Sequence, residues 1–96
     1  MFKYTINIKK ELSEHGVSAT LIKQRKIFGQ STMQKFLNGD TSITLESLNR
    51  LCYITGKQPG EILEFTVTDE DEEKYEEFST FIVNKEENDL GETERF

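Results

Sequence analysis

The chain has 96 residues, 34% of them apolar and 31% charged, enough to bury one small core. No run approaches the ~18 apolar residues of a membrane span, Met1-Phe2-Lys3-Tyr4 does not open a secretory signal, and one cysteine forms no intrachain disulfide. The formal charge of −6 would argue against nucleic acid, but it is a sum of opposites: residues 1–66 carry nine basic and six acidic side chains, and residues 67–96 carry three and twelve.

Phe2, Tyr4 and Ile6 alternate with polar residues, which fits a short strand or an extended arm. Ile8 and Leu12 lie four apart in a first helix reaching His15, with Gly16 placed to close it in the left-handed conformation. Ser18 is a natural N-cap for a second helix through about Lys26. Ile27-Phe28-Gly29 interrupts the pattern. Met33, Phe36 and Leu37 then mark a core-facing stripe on a third helix over 30–38, and Asn38-Gly39-Asp40 makes the turn. Thr44 caps a fourth helix, with Ile43 and Leu48 arranged as a hydrophobic staple, Leu45, Leu48, Leu51 and Cys52 on one face, and Gly56 at its end. Pro59 fits the first turn of a short fifth helix through Phe65.

The composition then shifts. Thr68-Asp69-Glu70-Asp71 has the form of a capping box with Asp in place of Glu, and Tyr75, Phe78, Phe81 and Ile82 follow at helical spacing. These features predict an amphipathic helix over 69–85, with a strand over Phe78–Val83 as the competing reading because those residues are rich in β formers. Residues 86–96 are polar and expected to be disordered. The domains expected are therefore 1–66 and an acidic extension, 67–96.

Catalysis has little support, and the expectation is a protein that is not an enzyme. His15 and Cys52 are each the only residue of their kind and far apart, so no metal site is expected, and no glycine-rich loop implies a cofactor. His15 reads as a charge–dipole residue at a helix end, and Cys52 as a small buried hydrophobe. The acidic run at 69–77 is either a solubilising face or, with its aromatic stripe, a packing or dimerisation surface.

The informative stretch is residues 17–39, VSATLIKQRKIFGQSTMQKFLNG. Two short helices separated by a turn of three or four residues form a helix-turn-helix, whose second helix can enter the DNA major groove. Val17, Ile22, Phe28, Met33 and Phe36 fall where the unit must pack. Lys23, Arg25, Lys26 and Lys35 give it +4 with no acidic residue, as phosphate neutralisation requires.

With its continuation TSITLESLNRLCYITG and the closing segment QPGEILEF, this stretch resembles the Cro and phage-repressor-type helix-turn-helix regulators, in particular a compact bacterial and phage group. The resemblance spans about residues 2–66. It implies an all-α, five-helix lambda-repressor-like DNA-binding domain, here with the short N-terminal strand or arm and the acidic extension added. It also implies a cytoplasmic transcriptional regulator, a repressor acting as a homodimer on double-stranded DNA. By position, Gln30, Ser31, Gln34 and Lys35 face the groove, and Thr32 meets a groove wall or phosphate. Ser18 and Thr20 meet phosphate at the start of the bracing helix, and Asn38, Thr41 and Ser42 lie near the loop that touches the backbone. Lys23, Arg25 and Lys26 supply electrostatic support. Three positions depart from the family pattern. Ile27 stands where glycine is usual, so either the turn differs or the bracing helix runs on; Lys23 replaces a common alanine; Gly29 replaces a Ser or Thr cap. The alternative function is a fold reused as a protein-binding module, a phage-encoded inhibitor or an antitoxin, with Tyr75, Phe78, Phe81 and Ile82 as dimer or partner contacts.

Overall fold

The structure, a computed structural model, describes residues 1–82 and forms two units, Phe2–Thr66 and Met1 with Val67 onward. The order in the first unit is β1 (Phe2–Tyr4), α1 (Ile8–Glu14), α2 (Ala19–Arg25), α3 (Gln30–Asn38), α4 (Leu45–Thr55), α5 (Pro59–Ile62) and β2 (Leu63–Phe65). Local chemistry sets these boundaries. The side chains of Asn7, Ser18 and Thr44 accept backbone N–H bonds from Lys10, Leu21 and Ser47, starting α1, α2 and α4. Gly39 and Gly56, at φ 73° and 71°, end α3 and α4 where a side chain would be strained. Pro59 opens α5, and Glu61 turns back to accept from the Gln58 N–H at 2.8 Å.

One core holds these helices together. Ile8 and Leu12 of α1, Ile22 of α2, Phe28 of the turn, Phe36 of α3, Leu51 of α4 and Ile62 of α5 are buried as one cluster, with Val17, Met33, Leu48 and Cys52 packed on its edge. Two expected core positions lie outside it. Leu37 is 57% and Leu45 78% exposed, because only part of each apolar stripe meets a neighbouring helix. Thr55 takes the inner place on the last turn of α4 and returns its hydroxyl proton to the Leu51 carbonyl at 2.7 Å.

The first unit is mostly helical rather than all-α. Residues Phe2–Tyr4 form a strand paired antiparallel with Leu63–Phe65, in the register Phe2 with Phe65, Lys3 with Glu64 and Tyr4 with Leu63. The fifth helix accordingly stops at Ile62 instead of reaching Phe65. An edge-to-face contact of Phe2 with Phe65 at 5.5 Å and a Lys3–Glu64 ion pair at 3.5 Å join the strands.

In the second unit, α6 (Asp69–Lys74) begins with the expected capping box: Thr68 Oγ1 accepts from the Asp71 N–H at 3.2 Å, and Asp71 accepts from the Thr68 N–H at 3.1 Å. Asp71 also accepts from the Met1 amino group. The long helix expected over 69–85 is broken at Tyr75, and Glu76–Thr80 continue as a 3-10 turn, which also displaces the strand reading from residue 78. Tyr75 stacks on Phe78 at 5.3 Å, an arrangement that the tighter winding allows. The parts of these expectations that fall on 83–96, including the disordered tail, lie outside the described residues.

Candidate nucleic-acid interface

The site is built on α2, the turn at 26–29 and α3. Its turn differs from the family pattern in a definite way. Helix α2 ends at Arg25, and Lys26 takes the left-handed conformation at φ 52°, alone among the non-glycine residues described. Ile27 is spared that strain. Its N–H bonds the Ile22 carbonyl at 3.0 Å, and its side chain packs on the core cluster that contains Ile22. This is the closing arrangement that normally uses glycine at the left-handed position. Ile27, which stands where the resemblance expects glycine, thus avoids the left-handed conformation that Lys26 takes, and the bracing helix does not run on.

Phe28 then enters the core and meets Phe36 edge to face at 5.1 Å, which fixes the turn against the inner side of α3. Gly29 starts α3 without a side-chain cap, and its carbonyl accepts from the Met33 N–H at 3.0 Å. With Phe36 inward, Gln30, Ser31 and Gln34 are exposed on the outer side, as is Asn38 in the last turn, while Thr32 is half-buried. The Gln side chains offer donor and acceptor together, the chemistry that pairs with adenine. Lys23, Arg25 and Lys26 are exposed and have no acidic side chain within ion-pair distance among the described residues. Lys23 and Arg25 also sit in the last turn of α2, where the helix dipole favours cations. Thr20 is exposed, and Ser18 uses its hydroxyl oxygen on the Leu21 N–H at 3.2 Å, keeping its own proton to donate.

Lys35 behaves differently from its neighbours. It is half-buried, and its ammonium donates to the Ser42 carbonyl at 2.7 Å. Thr41 is half-buried, and Ser42 is exposed but engaged: its N–H and hydroxyl both donate to Asp40 Oδ1, at 2.9 and 2.6 Å. The Ser42 hydroxyl first, then its N–H, and then the Lys35 charge hold the Asp40 carboxyl below the usual carboxylate range.

Two contributors escaped the sequence reading. Arg50 of α4 donates from its guanidinium to the Ile27 carbonyl at 2.7 Å while its Nε holds Glu46 at 3.2 Å. Tyr4 of β1 donates its hydroxyl to the Asp40 carbonyl at 2.7 Å, and burial, then the Asp40 charge, raises its pKa. Only the Glu46–Arg50 spacing of four was legible as an ion pair along one helix.

The Cro/C1-type helix-turn-helix DNA-binding domain is the family whose profile matches the chain, over residues 7–68. No curated protein and no solved structure gives a significant match. The matched span covers α1 to β2 and contains the α2–turn–α3 unit whole. The chain belongs to the Cro/C1-type helix-turn-helix DNA-binding domain family.

Proposed function

We propose that the protein is a sequence-specific transcriptional regulator, a repressor that binds as a homodimer on a near-palindromic site with half-sites one helical turn, ~34 Å, apart. The observation that carries this reading is the outer side of α3. There Gln30, Ser31 and Gln34 stand exposed, and three cations of α2 and its turn in the same helix-turn-helix unit are exposed without acidic partners among the described residues. The Gln side chains and Ser31 read base edges. Thr32, Ser18 and Thr20 meet the sugar–phosphate wall, Asn38 and Thr41 the backbone beyond α3, with Ser42 holding the loop there through Asp40, and Lys23, Arg25 and Lys26 neutralise phosphate. Such work places the protein in the cytoplasm with the nucleoid. Selection from a random duplex pool tests the reading. A recovered motif with two-fold symmetry supports it, and a pool that stays random at low salt overturns it.

A second reading has one observation in its favour. Tyr75, Phe78 and Phe81 form a run of neighbouring rings, 5.3 and 6.1 Å apart, and all three remain exposed beside Ile82. An exposed aromatic run flanked by acidic residues suits a basic protein partner, which would make the acidic extension the working surface. Copurification of a stoichiometric partner that is lost on deleting residues 67–96 would favour it over the operator-binding dimer.

A further inference from the structure

We propose that Lys35, Asp40 and Tyr4 form a lock on the loop at 39–42, and that Lys35 acts on DNA by setting that loop rather than by reading a base. This rests on the reading of α3 as the DNA-facing helix and divides the labour among its residues. The lock has attachments from three parts of the fold. Lys35 reaches from the last turn of α3 to the Ser42 carbonyl at 2.7 Å. Asp40 gathers the Ser42 N–H and hydroxyl onto one carboxylate oxygen, and its own N–H bonds the Lys35 carbonyl at 2.8 Å. Tyr4 brings β1 onto the Asp40 carbonyl at 2.7 Å and leans edge-on against Phe36 at 6.1 Å, so the loop is tied to the core of the recognition helix itself.

Two features of Lys35 separate it from Gln30 and Gln34. First, the N-terminal residues of a recognition helix reach base edges, whereas Lys35 lies in the closing turn of α3 with its side chain turned toward the following loop. Second, an ammonium is a compact charge with three donors. One is spent on a backbone carbonyl, which fixes the head and leaves the other two to face a phosphate beside the loop. The lock also keeps the Asp40 carboxylate folded onto Ser42, next to the Lys35 charge, so that an acidic residue is tolerated at the rim of a DNA-facing surface.

The test uses the full chain and three variants, Lys35→Met, Lys35→Arg and Tyr4→Phe, on the duplex that the wild-type chain selects and on all its single-base changes. The lock predicts that Lys35→Met loses about tenfold in affinity, equally for every duplex, so the profile of base preference keeps its shape. Tyr4→Phe moves affinity the same way by a few fold, and Lys35→Arg retains most of the wild-type value. Amide exchange at Ser42 in the free protein speeds up in Lys35→Met and Tyr4→Phe while the melting temperature holds within a few degrees. Loss of preference at a single base pair in Lys35→Met, with Ser42 exchange unchanged, overturns the proposal and makes Lys35 a base reader. A wild-type chain that selects no duplex overturns the DNA reading itself. Ser42 exchange in the free protein still decides the lock, with unchanged rates in Lys35→Met counting against it.

Discussion

Arg50 and Ile27, twenty-three residues apart, are joined by a 2.7 Å hydrogen bond from the guanidinium to a backbone carbonyl. The bond ties α4 to the point where α2 has ended and α3 has not begun. Because Arg50 also holds Glu46 at 3.2 Å, one side chain spans a helix surface and a turn that no helix pattern supports. Arg50→Met, which keeps much of the apolar stem, should cost about 1 kcal/mol of stability in urea denaturation. Arg50→Lys should recover only part, since one ammonium lacks the planar fork that serves both partners. An unchanged urea midpoint in Arg50→Met would show that the bond does not constrain the turn.

Lys26 carries a cost that its position explains. Its left-handed backbone is strained for any residue with a Cβ, and glycine removes that strain. Lys26→Gly should therefore raise stability by about 0.5–1 kcal/mol. If Lys26 neutralises phosphate as proposed, the same change removes that cation, so the log–log salt slope of binding should become shallower by about 0.9. Stability and salt dependence move in opposite senses from one substitution. A higher melting temperature with an unaltered salt slope would remove Lys26 from the phosphate contacts.

The helices were legible wherever the signal is local. Asn38-Gly39-Asp40, Thr44 and Gly56 each act within one turn, and α3 occupies 30–38 as its spacing indicated. The strand at Leu63–Phe65 was not legible, because its partner lies at Phe2–Tyr4 and Leu-Glu-Phe continues a helical pattern equally well. Leu37 and Leu45 show the limit of periodicity: it marks a helix face without saying where the neighbouring helix ends. At the site, the resemblance turned Gln30, Ser31, Gln34 and Lys35 toward the groove; the first three are exposed, whereas Lys35 is half-buried with its ammonium on the Ser42 carbonyl. The Lys35–Ser42, Arg50–Ile27 and Tyr4–Asp40 bonds depend on where loops and strands come to rest, which no local pattern encodes. Ile27 is a related case. The resemblance located a residue out of pattern, but only the end of α2 at Arg25 shows that Lys26 bears the strain.

The Asp40–Tyr4 pair sets the pH limits of the loop. Asp40 has a lowered folded-state pKa, so its contribution is present above its ordinary value of 3.8 and is lost as pH falls below it through the folded value. Tyr4 has a raised pKa, so its contribution is complete below 10.0 and is lost as pH rises through the folded value. Amide exchange at Ser42, corrected for its intrinsic pH dependence, should show constant protection between about pH 5 and 9, since the Asp40 shift is downward and the Tyr4 shift upward. Carboxyl and phenol resonances followed by NMR should titrate outside those limits. A step in protection near pH 7 would contradict the assignment.

Leu12 and Leu51 are each 1% exposed at the centre of the helical unit. Truncating either to alanine should cost about 2–5 kcal/mol, a large part of the stability a domain this small holds. Circular dichroism should then show a partly unfolded chain at 37 °C. A variant that stays folded with a loss of under about 1 kcal/mol would mean the core repacks around the gap.

The most direct measurement is the affinity of Gln34→Ala for the wild-type operator, each single-base variant of it and a scrambled duplex, taken at two salt concentrations. Gln34 is exposed on α3 and uncharged, so its loss should cost about 1–3 kcal/mol on the operator, relax preference at one base pair, and leave the scrambled duplex and the salt slope unchanged. Equal binding of operator and scrambled duplex by the wild-type chain, or a Gln34→Ala variant with an unaltered base profile, would contradict the claim that this face of α3 reads DNA.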